Sequence, residues 1–343
     1  MPDLGPREPG SRWGGRRLLV LAAALGVLAL ALLASLTFGS HRLGVGETWR
    51  LLLDPDHSTE SDVLHGLRVP RTVVATVVGA ALALAGSVLQ SLTRNPLADP
   101  GILGINAGAA LAVVLAVALT GATGIGFYVW FALLGAGIAA AGVLALSGSR
   151  SAVHNPARVA LAGVAVSAAL AALTQTVILA DQEAFNEFRY WVAGSLEGRG
   201  WHELAITGPL IGIGAVAALI LAPALNALSL GDDTARALGV SVTRVRTLGL
   251  VAAVLLAGGA CAAVGPIGFV GLAVPLLARA LVGHDQRWIA VVSVVLGAAW
   301  LLLTDTLARV VVAPQEVQAG VVAAIVGAPV FLAIVSRRKV PSL

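Results

Sequence analysis

Apolar residues fall along this chain in long blocks, not in alternation with polar ones. Leu18 to Phe38 is apolar over about one bilayer crossing, and further blocks are centred near 72–93, 102–120, 125–146, 157–180, 204–228, 247–264, 287–305 and 319–335. A helix needs about 20 apolar residues to cross a hydrocarbon core of about 30 Å, and each block meets that need. The stretch Gly265 to Val282 is shorter and carries Gly265, Pro266, Gly268, Gly271 and Pro275, which predicts a re-entrant turn followed by one more helix. Ten membrane helices are expected. A barrel is excluded, because strands facing lipid and lumen in turn would interrupt each block at every second residue. The first block is longer than the roughly 7–15 apolar residues of a signal peptide and is followed by no small-x-small cleavage site, so it reads as a retained helix. The fold class expected is all-α, a polytopic membrane helical bundle, with an N-terminal tail at 1–17, a transmembrane domain at 18–336 and a C-terminal tail at 337–343.

Composition agrees with the pattern. Of 343 residues 58% are hydrophobic and 12% charged, and the mean hydropathy is +0.91; ordinary soluble chains carry about 25% charge. The charges lie between the blocks and are sided. With the N-terminus inside and ten crossings, cytoplasmic segments hold 15 of the 22 Lys+Arg, while acidic residues such as Glu47, Asp54, Asp62, Asp181, Glu187 and Glu316 fall outside. The positive-inside rule therefore places both termini in the cytoplasm. A pI of about 10.2 reads as this topology signal and not as a nucleic-acid surface. Cys261 is the only cysteine, the histidines lack ligand spacing, and Lys339 is the only lysine. A phosphate-binding loop needs a Gly-Lys-Ser/Thr ending, so the chain cannot supply an ATPase site of its own.

Buried carboxylates usually mark ion coupling, yet the blocks contain only Asp305 and Arg279, both near helix ends. Either could snorkel, cap or relay. Their scarcity points to energy supplied by another subunit. Between the sixth and seventh blocks, Leu230 to Val240 can form a short helix with Asp232 and Asp233 at its positive end and Gly239 as its stop. It is either a capped connector or a helix that docks in a partner's groove. Small residues such as Gly79, Gly86, Gly258 and Gly259 allow close helix packing in lipid. Arg68-Val-Pro-Arg71-Thr72 and Arg244-Val-Arg246-Thr247 resemble one another and would begin helices of opposite direction, as an inverted repeat requires.

An ordered set of motifs resembles one family, the iron-siderophore and cobalamin type permeases of ABC importers, or FecCD family, from about Leu43 to Arg338. It comprises Arg68-Val-Pro-Arg71 with Gly79 to Gly86, Gln90, Arg94-Asn-Pro-Leu-Ala-Asp-Pro100 and Leu103-Gly104; Trp191-Val-Ala-Gly194-Ser-Leu196; Leu230-Gly231 to Leu238-Gly239; Gly265-Pro-Ile-Gly-Phe-Val-Gly-Leu272; and Pro275, Arg279, Gly297, Asp305, Arg309, Glu316, Gly320 and Gly327-Ala-Pro329. The resemblance implies a type II importer fold in a bacterial inner membrane. It further implies a second permease chain, identical or a sister, two ATPase subunits carrying ATP and magnesium, and an extracytoplasmic substrate-binding protein. The chain itself would hold no cofactor or metal and would be no enzyme.

Site residues follow from the same resemblance. Arg68, Arg71 and Arg309 would dock the binding protein, with interface anchoring of Arg68 and Arg71 as the lesser alternative. Asp232, Asp233, Ala235, Arg236, Leu238 and Gly239, within a coupling segment at about 226–246, would transmit ATPase motion. Asn95, Pro96 and Leu97, with Asn155, Pro156 and Ala157, would form the cytoplasmic gate. The chain departs from the family pattern at Leu276, where a histidine is common, and at Gln318, where a proline is. A ferric siderophore is the expected cargo, with cobalamin or haem as rivals of the same fold. An ion-coupled secondary transporter is the rival from another class; a membrane enzyme is disfavoured, since no nucleophile, base and metal cluster appears in the spans.

Overall fold

In a computed structural model, residues 10–39, 44–121, 125–147 and 156–337 are described, and they are helical throughout apart from short connections. The helices are α1 Gly10–Thr37, α2 Val45–Leu53, α3 Thr59–Val63, α4 Val69–Thr93, α5 Ile105–Thr120, α6 Ile125–Leu146, α7 Pro156–Ala180, α8 Gln182–Val192, α9 Trp201–Ser229, α10 Asp232–Ala237, α11 Val242–Val264, α12 Val270–Val282, α13 Gln286–Val310 and α14 Ala319–Arg337. Eight runs are long and apolar enough to cross a membrane, and α5 and α12 are shorter apolar helices. Each of the ten expected helices is found in the expected block.

Contacts between helix ends give the course of the chain. Arg17 near the start of α1 pairs with Asp285 just before α13, at 3.5 Å, while Thr37 at the other end of α1 accepts from Arg68 just before α4. Gly249 early in α11 meets Leu92 late in α4, and Gly126 at the start of α6 meets His202 at the start of α9. The ten helices therefore alternate in direction, and α1 begins on the face where α14 ends. The antiparallel relation of α4 and α11 anticipated from their similar N-terminal sequences is present.

Packing centres on α4, whose middle and inner turns are almost wholly buried. It lies against α13, α11, α9 and α12. Lipid is as apolar as leucine, so these helices gain by close van der Waals approach and not by hiding apolar surface. Glycine permits that approach where backbones cross. A Cβ on Gly79 would overlap the carbonyl of Gly297 in α13, and one on Gly86 would overlap the backbone of Gly271 in α12.

α12 has 13 residues, about 20 Å at 1.5 Å per residue, too short to span the core. It starts part-way down, after the irregular segment 265–269. Non-helical backbone at such depth survives only against protein or a cavity. That condition is met: the Ser195 amide donates to Val264 O at 2.9 Å, and Gly320 donates to Gly194 O at 2.9 Å. Two irregular stretches, 193–200 and 265–269, thus meet at the first turn of α14.

Candidate functional site

Polar side chains collect at three places: one end of the bundle, the opposite end, and the irregular junction between them and the first end.

At the end where α4 begins, four elements bring together a buried ion-pair network. A π-helical turn, Leu64–Arg68, joins α3 to α4 and sets Arg68 and Arg71 on the side facing α1 and α13. Arg71 donates from Nη2 to Asp305 Oδ1 at 2.7 Å and from Nε to Oδ2 at 3.1 Å. Its Nη1 reaches Glu316 Oε2 at 2.8 Å. Arg309, one turn beyond Asp305 on α13, lies 3.1 Å from Asp305 Oδ2 and donates to Ser35 O at 3.1 Å and Ser35 Oγ at 3.0 Å. Arg68 donates to the last carbonyls of α1, Leu36 O at 2.8 Å and Thr37 O at 2.9 Å.

This geometry shows how these side chains are held. Asp305 neither snorkels nor caps; its side chain is fully buried between two guanidinium groups. Arg68, Arg71 and Arg309 do not project as free outward charges. Arg68 and Arg309 are 5% and 3% exposed, because each satisfies helix carbonyls or Asp305 inside the bundle. Three arginines against Asp305 and Glu316 nevertheless leave one positive charge in excess. A recess of about 190 Å³ opens onto it, lined by Leu67, Arg68, Arg71, Arg309 and Glu316.

At the opposite end, the connector between α9 and α11 folds into the six-residue α10. Asp232 is its anchor. One oxygen, Oδ1, accepts from Arg246 Nη2 of α11 at 2.9 Å and from Arg94 Nη2, which caps α4 in the left-handed region at φ 49°. Arg94 also donates to Leu228 O, the last turn of α9, at 2.7 Å. α4, α9, α10 and α11 are thereby tied through one carboxylate. Ala235 is fully buried, whereas Leu238 is 62% exposed and Asp233, paired with Arg236 at 2.7 Å, points into solvent. Gly239 ends the helix at φ 80°, with its amide donating to Arg236 O at 2.9 Å. The connector is both internally clamped and outwardly exposed, which suits a helix that transmits force to a partner.

Beside it, Asn95 to Leu97 form the turn after α4. The Asn95 amide donates to Gln90 O at 3.2 Å, and its Oδ1 accepts from the Leu97 amide at 2.9 Å. Leu97 is half-exposed. Pro156 and Ala157 open α7, and Asn155 lies outside the described residues. Reading the sequence missed Asp285, which caps α13 through the Arg287 amide at 3.1 Å and accepts from Asn226 of α9 at 2.8 Å. Its signal was present: an Asp directly before an apolar block is an N-cap pattern. Ser35 and Asn226 carried no such signal.

At the junction, a cavity of about 360 Å³ lies beneath α8, lined in part by Tyr128, Trp191, Ser195, Arg199 and Gln318. Among the described residues no group of three or more His, Cys, Asp or Glu could hold a metal ion.

Comparison with known proteins bears on these sites. The model of the FecCD transport family matches residues 27–337. The chain is 41% identical over 323 residues to the ferric enterobactin transport system permease protein FepD of Escherichia coli (strain K12), covering 94% of this chain and 96% of that one. It is 35% identical over 328 residues to the Fe(3+)-citrate import system permease protein YfmD of Bacillus subtilis (strain 168), covering 96% and 97%. With the hemin transport system permease protein HmuU of Yersinia pestis the identity is 36% over 327 residues, covering 94% and 96%. Among solved structures, an inward-facing conformation of an ABC transporter assigned to the metal-chelate type superposes with a TM-score of 0.81 at 28% identity, covering 93% of this chain and 99% of that one.

Proposed function

The chain belongs to the FecCD transport family, and from that premise we propose that it is the permease subunit of an ATP-driven importer carrying a ferric siderophore received from an extracytoplasmic binding protein. The observation that carries the mechanism is the placing of two charged stations at opposite ends of one buried helix, α4. Arg71 belongs to the first and Arg94 to the second.

The binding protein would dock at the first station. An acidic side chain entering the recess meets the surplus positive charge of Arg68, Arg71 and Arg309, in competition with Glu316. Charge complementarity of this kind sets orientation and association rate. The ATPase would dock at the second, against exposed Leu238 and Asp233, with Asp232 passing motion through Arg94 into α4 and through Arg246 into α11. Asn95, Pro96, Leu97, Asn155, Pro156 and Ala157 would gate the path on that side. A second permease chain, two ATPase subunits and their ATP and magnesium complete the assembly. The face bearing α10, the start of α1 and the end of α14 is then cytoplasmic.

The secondary-transporter alternative fits less well. Asp305, the fully buried carboxylate of α13, is already committed to ion pairs with Arg71 and Arg309. Cobalamin and haem remain the rival cargoes within the family reading. The deciding experiment reconstitutes the chain with its ATPase and binding protein in vesicles and follows uptake of radiolabelled iron chelates. ATP inside the assay should drive uptake, and a protonophore should leave it unchanged. Uptake that persists without ATP and collapses with the protonophore overturns the proposal.

A further inference from the structure

We propose that the cavity beneath α8 is a binding site for one anionic, planar limb of the metal chelate, with Arg199 and Trp191 as its hydrogen-bond donors. The inference rests on the importer reading and adds the chemistry by which cargo is selected.

The first observation is a set of donors without acceptors. Arg199 is 8% exposed and Trp191 3%, yet Arg199 Nε, Arg199 Nη1 and Trp191 Nε1 have no hydrogen-bond partner. Leaving buried donors unsatisfied is costly, most of all for charged groups. Glu203 attracts Arg199 electrostatically but supplies no hydrogen bond to Nε or Nη1; its Oε2 caps α9, accepting from the Gly200 amide at 2.8 Å. Buried polar groups left in this state call for an explanation.

The second observation is the space they line. The cavity of about 360 Å³ lies at the small end of the roughly 300–1,000 Å³ typical of ligand pockets, which admits one limb of a large chelate and not the whole. Tyr128, Tyr190 and Trp191 supply aromatic walls. A planar guanidinium beside aromatic faces matches a flat anion with paired oxygens, such as a carboxylate or a catecholate ring. Glu187 and Glu197 stand at the same cavity, half-buried and exposed respectively.

The third observation is position. The cavity sits where segment 193–200 leaves α8 and where Gln318 precedes α14, beside the break between α11 and α12. Broken helices in transporters expose backbone and side chains to cargo at such a place.

The test uses the permease–ATPase complex in lipid nanodiscs, with iron-55 bound either to a tricatecholate, giving an anionic chelate, or to a trihydroxamate, giving a neutral one. The wild type should bind the anionic chelate saturably. Arg199→Gln should weaken that binding about tenfold or more, Arg199→Lys should recover part of it, and the neutral chelate should change less than about twofold in both. Trp191→Phe keeps the ring, removes one donor, and should weaken the anionic chelate a few-fold; it carries the test if Arg199→Gln does not elute as a folded complex. Equal weakening for both chelates, or none for either, overturns the site. A wild type that imports iron with ATP yet binds no chelate in nanodiscs overturns the site and leaves the importer reading standing. Absence of both binding and ATP-driven uptake overturns both.

Discussion

At the scale of single residues, Asp305 shows how costly one atom group can be. It compensates Arg71 and Arg309 while fully buried, and removing one partner of such a cluster leaves charges in low dielectric at a cost of about 3–5 kcal/mol. Asp305→Asn should therefore lower the thermal midpoint of the solubilised protein markedly, whereas Asp233→Asn, on a fully exposed side chain, should leave it unchanged. Glu316 predicts the reverse kind of effect. Neutralising it adds a second uncompensated positive charge to the docking recess, so Glu316→Gln should speed association of the binding protein at low salt, with a steeper decline as salt rises. Surface-plasmon kinetics across ionic strength read this directly. Asp99, in the loop after α4, has its carboxyl pushed above the ordinary range by burial, partly offset by the Gly101 amide. A raised folded pKa means that its contribution to stability is full below pH 3.8 and is lost as pH rises through the folded value. Asp99→Asn keeps the cap of the following turn and should flatten that segment of the stability–pH curve.

At the scale of elements, helix crossings and connector geometry decide. Gly86 has no room for a Cβ against Gly271, whereas Gly137 in α6 has nothing within 4 Å. Gly86→Ala should displace α12 and destabilise by about 1–3 kcal/mol or more, while Gly137→Ala should be neutral or slightly stabilising. Chemical denaturation of both variants in the same detergent makes the comparison. α10 is only six residues long, so its position depends on Asp232 and not on its own helical stability. Asp232→Asn should loosen Arg94 and Arg246 together. In the reconstituted complex this should leave ATP hydrolysis running while iron uptake falls about tenfold or more; tight coupling in that variant would remove Asp232 from the transmission path.

At the scale of the whole molecule, the helix order, alternation and antiparallel α4–α11 pair were legible in the sequence, because block length and charge sidedness are properties of each segment facing lipid. The three arginines of the first station were legible as residues but not as an arrangement. Their motif gives no sign that α1 presents its terminal carbonyls to Arg68 or that Asp305 inserts between Arg71 and Arg309. Arg199 was legible only as one more charge on the outer side. Its lack of an acceptor is a fact about segments 193–200, α6 and α8 meeting in space.

The sequence by itself therefore determined that this is a ten-helix membrane bundle, since hydropathy and block length are local. Only the tertiary structure decided which charges cancel one another and which buried donors beside the cavity under α8 lack acceptors. Those outcomes depend on pair distances between residues as far apart in sequence as Arg71 and Glu316, which the fold brings to 2.8 Å, where their attraction is several times stronger than at 10 Å.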